Sequence, residues 1–150
     1  MATTVQGRAT PVHLWIVGIL SLLWSCFGCV DYVMTRTRNI GYLKSSMPSI
    51  DPNTTLAYVD GFPLWASIGW GLGVWFGLIG SVLLIMLSRH AVLAMGISFI
   101  GAILGLGYQI AKPMPGMTGF MAKGMPMVII LIALALFLYA RAMDKRGVLR

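Results

Sequence analysis

The feature that most constrains this chain is a set of four long apolar segments, each close to the length that crosses a bilayer. They cover residues 12–34, 62–87, 91–111 and 125–143. A helix of about 20 apolar residues crosses a hydrocarbon core of about 30 Å. The 150 residues are 58% hydrophobic and 10% charged, whereas globular domains run near 45–50% apolar and about 25% charged. The sequence therefore excludes an ordinary soluble domain and predicts an integral membrane protein.

Prolines and short connections predict how the four spans are arranged. Pro11, Pro63 and Pro126 lie at or beside first-turn positions, where a missing N–H costs nothing, and Asp60 is expected to cap span two. Ser88–His90 leaves a turn of three residues, so spans two and three are expected to form a tight antiparallel hairpin. Span one is expected to be retained, because its apolar region is too long for a signal peptide and no cleavage site follows. We predict an all-α membrane protein with four transmembrane helices in one antiparallel bundle, a single domain covering residues 1–150.

The connection between spans one and two is expected to contain helix. Asp51-Pro52 is a cap followed by proline at the first helical position, which predicts a short helix at Asn53–Val59 that lies on the membrane. Apolar residues before it recur at helical spacing and predict that span one continues as an amphipathic extension. These residues are Ile40, Leu43 and Met47. The loop could cap the bundle or dock a partner, and capping is the default.

Basic residues in the flanks predict the orientation, because they concentrate on the cytoplasmic side. With four spans, both termini and the 88–90 turn share one side. That side has the denser set of Lys and Arg. On the other side, three aspartates reduce the net positive charge. The first set is Arg8, Arg89, Arg141, Lys145, Arg146 and Arg150; the second is Arg36, Arg38, Lys44, Lys112 and Lys123. We therefore predict a multi-pass membrane protein with both termini in the cytoplasm. The net charge of +7 is explained by the orientation of the spans and by contact with anionic membrane lipids. No nucleic-acid partner is expected, since the charges are divided between the two sides of the membrane.

A reporter fusion tests this orientation. Alkaline phosphatase folds into an active enzyme only outside the cytoplasm, so a fusion after Arg150 should be inactive and a fusion within the 35–61 connection should be active. The opposite pattern would overturn the predicted topology.

Three spans carry a face of small residues, which lets helices approach closely in a bilayer. The predicted packing residues are Gly18, Ser21, Ser25 and Gly28 in span one, Gly69, Gly73, Gly77 and Gly80 in span two, and Ser98, Gly101 and Gly105 in span three. Span four is rich in Ile and Leu and has no such face. We expect spans one to three to form a close core, with span four more exposed to lipid. The glycines could instead mark an interface with a partner chain.

The spans have no ionisable residue near their middles. Such residues mark ion and proton pathways, so their absence argues against a proton-coupled exporter. We expect no catalytic residue, no cofactor and no enzymatic activity.

Three groups of residues suggest metal or redox chemistry, each with a simpler interpretation. Cys26 and Cys29 form a C-x-x-C, but a second pair is missing and the helical spacing suits a disulfide poorly. A methionine-rich segment could hold Cu(I), although methionine also packs adaptably at interfaces; it contains Met114, Met117, Met121, Met125 and Met127. His13 and His90 share one membrane face, where haem ligation is less expected than headgroup contact.

Two groups of residues carry a resemblance to a known family. The first is Trp24-x-x-Phe27-Gly28-x-x-Asp31-Tyr32-x-Met34-Thr35-x-Thr37-Arg38-Asn39 with Phe62-Pro63-x-Trp65 and Gly73-Val74-Trp75; the second is Tyr139-Ala140-Arg141-Ala142-Met143 with Arg146-Gly147-Val148-Leu149. Together they resemble a family of small four-span inner-membrane proteins of alphaproteobacteria, loosely labelled sugar transporters. The resemblance covers nearly the whole chain, and Asp31, Tyr32 and Arg38 match its motif at the outer end of span one. A carboxylate beside an Arg-bearing loop is most simply a structural ion pair, and ligand contact is the alternative.

Three hypotheses for function follow. The first is a non-catalytic accessory or structural subunit that packs against other integral membrane subunits of a larger complex. The second is a small oligomeric solute transporter that uses the glycine-lined faces as a passage. The third and weakest is a metal-binding or redox membrane protein.

Overall fold

The computed structural model describes residues 9–150, and that part of the chain is all-α. Its helices are α1 (Val12–Arg36), α2 (Ile40–Ser46), α3 (Pro52–Asp60), α4 (Leu64–Ile85), α5 (His90–Ala111) and α6 (Met125–Lys145), and one π-helical turn, Phe120–Gly124, leads into α6. Four helical segments are long and apolar enough to cross a membrane: α1, α4, α5 and the continuous stretch Phe120–Lys145. The predicted fold class is therefore confirmed, and the protein is a small multi-pass membrane protein. Arg8, which entered the predicted charge asymmetry, lies outside the described residues.

One expectation about a helix end is wrong. Asp60 ends α3, and the residue that precedes α4 is Pro63, which makes no side-chain cap. The helix α6 begins at Met125, the residue at which the predicted fourth span begins, and a π turn precedes it in which the amide of Met125 donates to the carbonyl of Phe120. Pro126 explains this turn: it has no N–H, and its ring would clash with the carbonyl four residues before it in a regular α-helix.

The first connection contains two short helices rather than an extension of α1 and one helix. The chain leaves α1 at Arg36, and Arg38 takes a left-handed conformation with φ 56° that redirects it. Asn39 then caps α2 by accepting the amide hydrogen of Tyr42 at 3.0 Å. The second short helix, α3, begins at Pro52 after the Asp51 cap, as the sequence predicts.

The closest helix contact in the molecule is between α4 and α5, and glycines make it possible. A Cβ atom on Gly101 would lie 2.7 Å from the carbonyl oxygen of Gly69 and 3.0 Å from the Cα of Gly73. A Cβ on Gly105 would lie 2.9 Å from the Cα of Trp70. The two backbones are therefore in direct contact, which is how small residues hold transmembrane helices together where lipid removes the hydrophobic driving force.

The other helices attach on either side of this pair: α1 packs against α4, and α6 packs against α5. We call the end with α2, α3 and the π turn the loop end, and the end with the α4–α5 turn and the C-terminus the terminal end. At the terminal end, α1 and α6 also meet, since His13 Nδ1 and the Tyr139 hydroxyl are 2.5 Å apart. At the loop end, they diverge around a cavity.

An apolar cluster fills the terminal end of the bundle. Its members come from all four spans and the C-terminal tail: Leu14, Leu84, Ala91, Met95, Ala140, Met143, Val148 and Leu149. Backbone hydrogen bonds also hold the C-terminal tail in place. The amide of Arg150 donates to Leu87 O at 2.6 Å, and the carbonyl of Arg150 accepts from the Arg89 amide at 3.0 Å. The last residues of the chain thus close this end of the bundle.

Substitution of Gly101 tests the α4–α5 contact. Gly101→Ala places a methyl group against backbone atoms that cannot move aside, so we expect a loss of about 1–3 kcal/mol of stability. The matched control is Gly107→Ala on the same helix, where a Cβ would have no neighbour within 4 Å. The measurement is the midpoint of thermal unfolding in one detergent. Equal midpoints for the two variants would contradict the contact.

Candidate functional site

A cavity of about 340 Å³ lies between the diverging halves of α1 and α6, with α4 and α5 as its back wall. It extends along α5 from Met95 to Gln109, a helical rise of about 21 Å. The cavity reaches from the loop end to Met95, which also belongs to the apolar cluster. The cluster therefore fills the space between the cavity and the terminal end.

Serines and a glycine form the floor of the cavity, where α1, α4 and α5 converge. Ser25 Oγ lies 3.3 Å from Ser81 Oγ, and Ser98 Oγ donates to the Gly73 carbonyl at 2.7 Å. A Cβ on Gly77 would lie 3.2 Å from Ser98 Oγ and 3.5 Å from Ser25 Oγ. The absence of a side chain at this glycine allows the three helices to meet. These hydroxyl groups already have partners within the bundle, so the floor is polar but satisfied.

The walls are aromatic on one side and aliphatic on the other. Trp24 and Phe27 of α1 and Trp70 of α4 line the first side. Ile129, Ile132 and other side chains of α6 line the second. Between them, Gly73, Gly101 and Gly105 contribute to the back wall, where α4 and α5 are in backbone contact.

Polar groups are concentrated at the mouth of the cavity. Asp31, at the loop end of α1, accepts a hydrogen bond from the Tyr42 hydroxyl to Oδ1 at 3.0 Å. Burial raises the pKa of Tyr42, and the negative charge of Asp31 raises it further, so the phenol stays protonated and donates. Gln109 lies on the facing helix, and its carboxamide makes no hydrogen bond with residues 9–150.

An ion pair is present at this end, but its acidic partner is not the predicted Asp31. Arg38 pairs with Asp60, with its Nη2 2.8 Å from Oδ1, and Asp31 is bound by Tyr42 instead. The two partners of the ion pair are 58% and 55% exposed, so the pair contributes little stability. The cause is the left-handed turn at Arg38, which carries its side chain toward the end of α3.

Tyr32, the third residue of that predicted cluster, belongs to a separate aromatic group. Its ring lies edge-on to Trp70 with centroids 4.8 Å apart, and the Arg36 guanidinium lies 5.5 Å from the Tyr32 ring centroid. Arg36 also donates to the hydroxyl of Ser67. The structure thus separates Asp31, Tyr32 and Arg38 into three different contacts, and only Asp31 faces the cavity.

The predicted packing residues divide between helix contacts and the cavity. In α1, Gly18 faces Ile85, with 2.8 Å from a built Cβ to Cγ1, whereas Gly28 would have no neighbour within 4 Å and lines the cavity. In α4, Gly80 packs on Met95. Of the remaining members, Ser21 and Gly69 lie at helix contacts and outside the cavity lining. The others line the cavity wall: Ser25, Gly73, Gly77, Ser98, Gly101 and Gly105.

A second aromatic cluster fixes α3 over the ends of α4 and α5. The Tyr58 hydroxyl donates to the Lys112 carbonyl at 2.5 Å, and the ring of Phe62 lies between Tyr58 and Tyr108, with centroid distances of 5.2 and 5.0 Å. Burial, with a smaller contribution from Tyr108, raises the pKa of Tyr58 to about 12. This hydroxyl therefore remains a donor at every physiological pH. The short helix α3 caps the α4–α5 pair, and none of its residues lines the cavity.

The residues considered for metal or redox chemistry are dispersed. Cys26 is exposed, and Cys29 is buried with its thiol 3.8 Å from the Val74 carbonyl oxygen. Among residues 9–150, no group of three or more His, Cys, Asp or Glu side chains could hold a metal ion. His13 contacts Tyr139, and His90 is exposed at the start of α5. Within the methionine-rich segment, Met114 is buried and Met117 is half-buried, and three members are exposed: Met121, Met125 and Met127.

Sequence reasoning missed two parts of this arrangement. It placed the small residues at helix contacts, but a cavity requires knowing that α1 and α6 diverge. It also treated the C-terminal tail only as charge and motif, although Val148 and Leu149 are buried in the terminal cluster. Their apolar character beside the basic residues was the available signal.

The chain matches no family model, no curated protein and no solved structure. The functional argument therefore rests on the geometry described above.

Proposed function

We propose that this protein is a non-catalytic accessory subunit that packs within a larger complex of a bacterial inner membrane. One observation carries the proposal: an exposed apolar patch where the chain enters α6. This methionine patch consists of Phe120, Met121, Met125 and Met127, which are 63%, 52%, 39% and 51% exposed. Methionine side chains adapt to irregular partners and are over-used at binding surfaces.

The poor internal packing of the fourth span supports the same proposal. The most apolar window of Phe120–Lys145 is 11% buried, whereas that of α5 is 39% buried. Transmembrane helices associate through close packing, and most of this span's surface is left for lipid or for another subunit. The methionine patch lies at the loop end of that surface, where flexible side chains would meet a neighbouring protein.

The chemistry of the cavity supports a non-catalytic role. Its lining includes one carboxylate and no histidine or cysteine, and the serine hydroxyls at its floor are engaged within the bundle. Catalysis by a nucleophile needs an adjacent base, and the cavity lining offers no such pair. The cytoplasmic termini, the inner-membrane location and the membership of the alphaproteobacterial family belong to this proposal, supported by the distribution of Lys and Arg and by the motifs around Asp31.

Site-specific photo-crosslinking tests the accessory role. A photoreactive residue at position 127 should give one discrete protein adduct in native membranes, and the same protein should co-purify in a mild detergent at a constant ratio. The matched control is position 19, since Ile19 and Met127 are both 51% exposed but Ile19 lies outside the methionine patch. The proposal would be contradicted if both positions gave adducts with lipid only and the chain purified without a companion protein.

The cavity favours a second candidate, a small solute transporter. Gly73, Gly77, Gly101 and Gly105 line it, as the glycine-faced passage of that hypothesis requires. Transport would need the apolar cluster at the terminal end to open in a second conformation, whereas binding in the cavity would not. The one-sided cavity therefore supports ligand binding more directly than transport.

A further inference from the structure

We propose that the cavity between α1 and α6 binds an amphipathic monocation, that is, an apolar chain carrying one ammonium group, with Asp31 as its counter-ion. The inference goes beyond the accessory role and does not depend on it, because the residues involved lie within one chain. It rests on the charge, the lining and the size of the cavity.

Charge is the first argument. Asp31 is the one ionisable side chain among the residues that line the cavity. Its Oδ1 atom accepts from Tyr42, which leaves the carboxylate charge without a cationic partner among residues 9–150. The nearby arginines are occupied elsewhere, Arg38 by Asp60 and Arg36 by Ser67 and two aromatic rings. A carboxylate at the edge of an apolar space is costly unless it is paired, so the cavity favours a cation.

The lining is the second argument. Trp24, Phe27 and Trp70 are among the residues that line the cavity. An ammonium group near such rings is attracted by their negative faces, and this effect is strongest for quaternary ammonium ions and tryptophan. The carboxamide of Gln109, which has no hydrogen-bond partner within the described chain, offers an oxygen at the same end. Toward the floor, the lining is apolar apart from the two serines, with aliphatic, glycine and methionine residues and Trp24, which suits a hydrocarbon tail.

Size is the third argument. A volume of about 340 Å³ is at the low end of the roughly 300–1,000 Å³ of ligand pockets. It suits a single chain rather than a whole two-chain lipid. The cavity extends along the bundle from the floor at Ser25 and Ser98 to the mouth at Asp31. A single-chain ligand with its ammonium group at Asp31 would therefore point its tail toward the centre of the membrane.

Fluorescence quenching in lipid nanodiscs tests the site, because two tryptophans line the cavity. The probe is a dodecyltrimethylammonium ion brominated at the end of its chain, added to protein in phosphatidylglycerol nanodiscs. We expect saturable quenching of tryptophan fluorescence by this cation. Brominated dodecyl sulfate, which has the same chain and the opposite charge, should give only the linear quenching of a solute dissolved in the bilayer.

Three variants assign the charge to Asp31. Asp31→Asn should weaken the apparent affinity for the brominated cation about tenfold or more, since a charge-assisted contact is lost. Asp31→Glu, which keeps the charge, should restore most of that affinity. Asp60→Asn is the matched control, because Asp60 is a carboxylate at the same end of the bundle but outside the cavity lining, and it should bind like the unchanged protein.

Two results would overturn the proposal: equal affinity of the Asp31→Asn variant and the unchanged protein, or saturable quenching by the sulfate comparable to that by the cation. The comparison of the two probes uses the unchanged protein, so it decides the matter even if Asp31→Asn fails to fold. Nanodiscs of chain-brominated phosphatidylethanolamine then distinguish the sources of the ammonium group. Stronger quenching than in brominated phosphatidylglycerol, reduced by Asp31→Asn, assigns the site to one chain of a membrane lipid; equal quenching assigns it to a free amphiphile.

Discussion

Backbone contact between α4 and α5 is the constraint on which the rest of this structure depends. Gly69 and Gly73 face Gly101 and Gly105 so closely that a methyl group at Gly101 would lie against backbone atoms of α4. In a bilayer, apolar side chains gain nothing by leaving lipid, so close packing has to supply the association energy. The short turn at residues 86–89 makes the contact local in sequence, and the pair forms a platform on which α1 and α6 are placed separately.

The position of α1 and α6 on opposite sides of this platform explains the one-sided cavity. They meet at the terminal end, where His13 contacts Tyr139 and the tail residues Val148 and Leu149 are buried. Toward the loop end, residues of both helices line the cavity on opposite sides of the α4–α5 pair. Gly73, Gly101 and Gly105 belong both to the contact within this pair and to the wall of the cavity. The helix contact and the cavity wall therefore share one pattern of small residues.

The sequence predicted the spans and the fold class well because length and hydropathy determine them locally. It predicted α3 for the same reason, since the Asp51 cap and Pro52 are adjacent. The sequence-based prediction failed for features that depend on backbone conformation or on contacts between residues far apart in the chain. The left-handed turn at Arg38 reverses the chain and gives that arginine to Asp60, and a spacing argument that pairs it with Asp31 cannot foresee this. The cavity depends on the divergence of two helices far apart in sequence, which no local pattern encodes.

The central claim is that α1 and α6 meet at the terminal end and are separated by the cavity at the loop end. Pairs of spin labels in a background without Cys26 and Cys29 measure this directly. Positions 13 and 139 replace side chains that contact each other, and positions 28 and 133 lie on the walls that α1 and α6 contribute to the cavity. The account predicts a clearly longer distance for the 28–133 pair than for the 13–139 pair in lipid nanodiscs. Equal distances, or a shorter 28–133 distance, would contradict it.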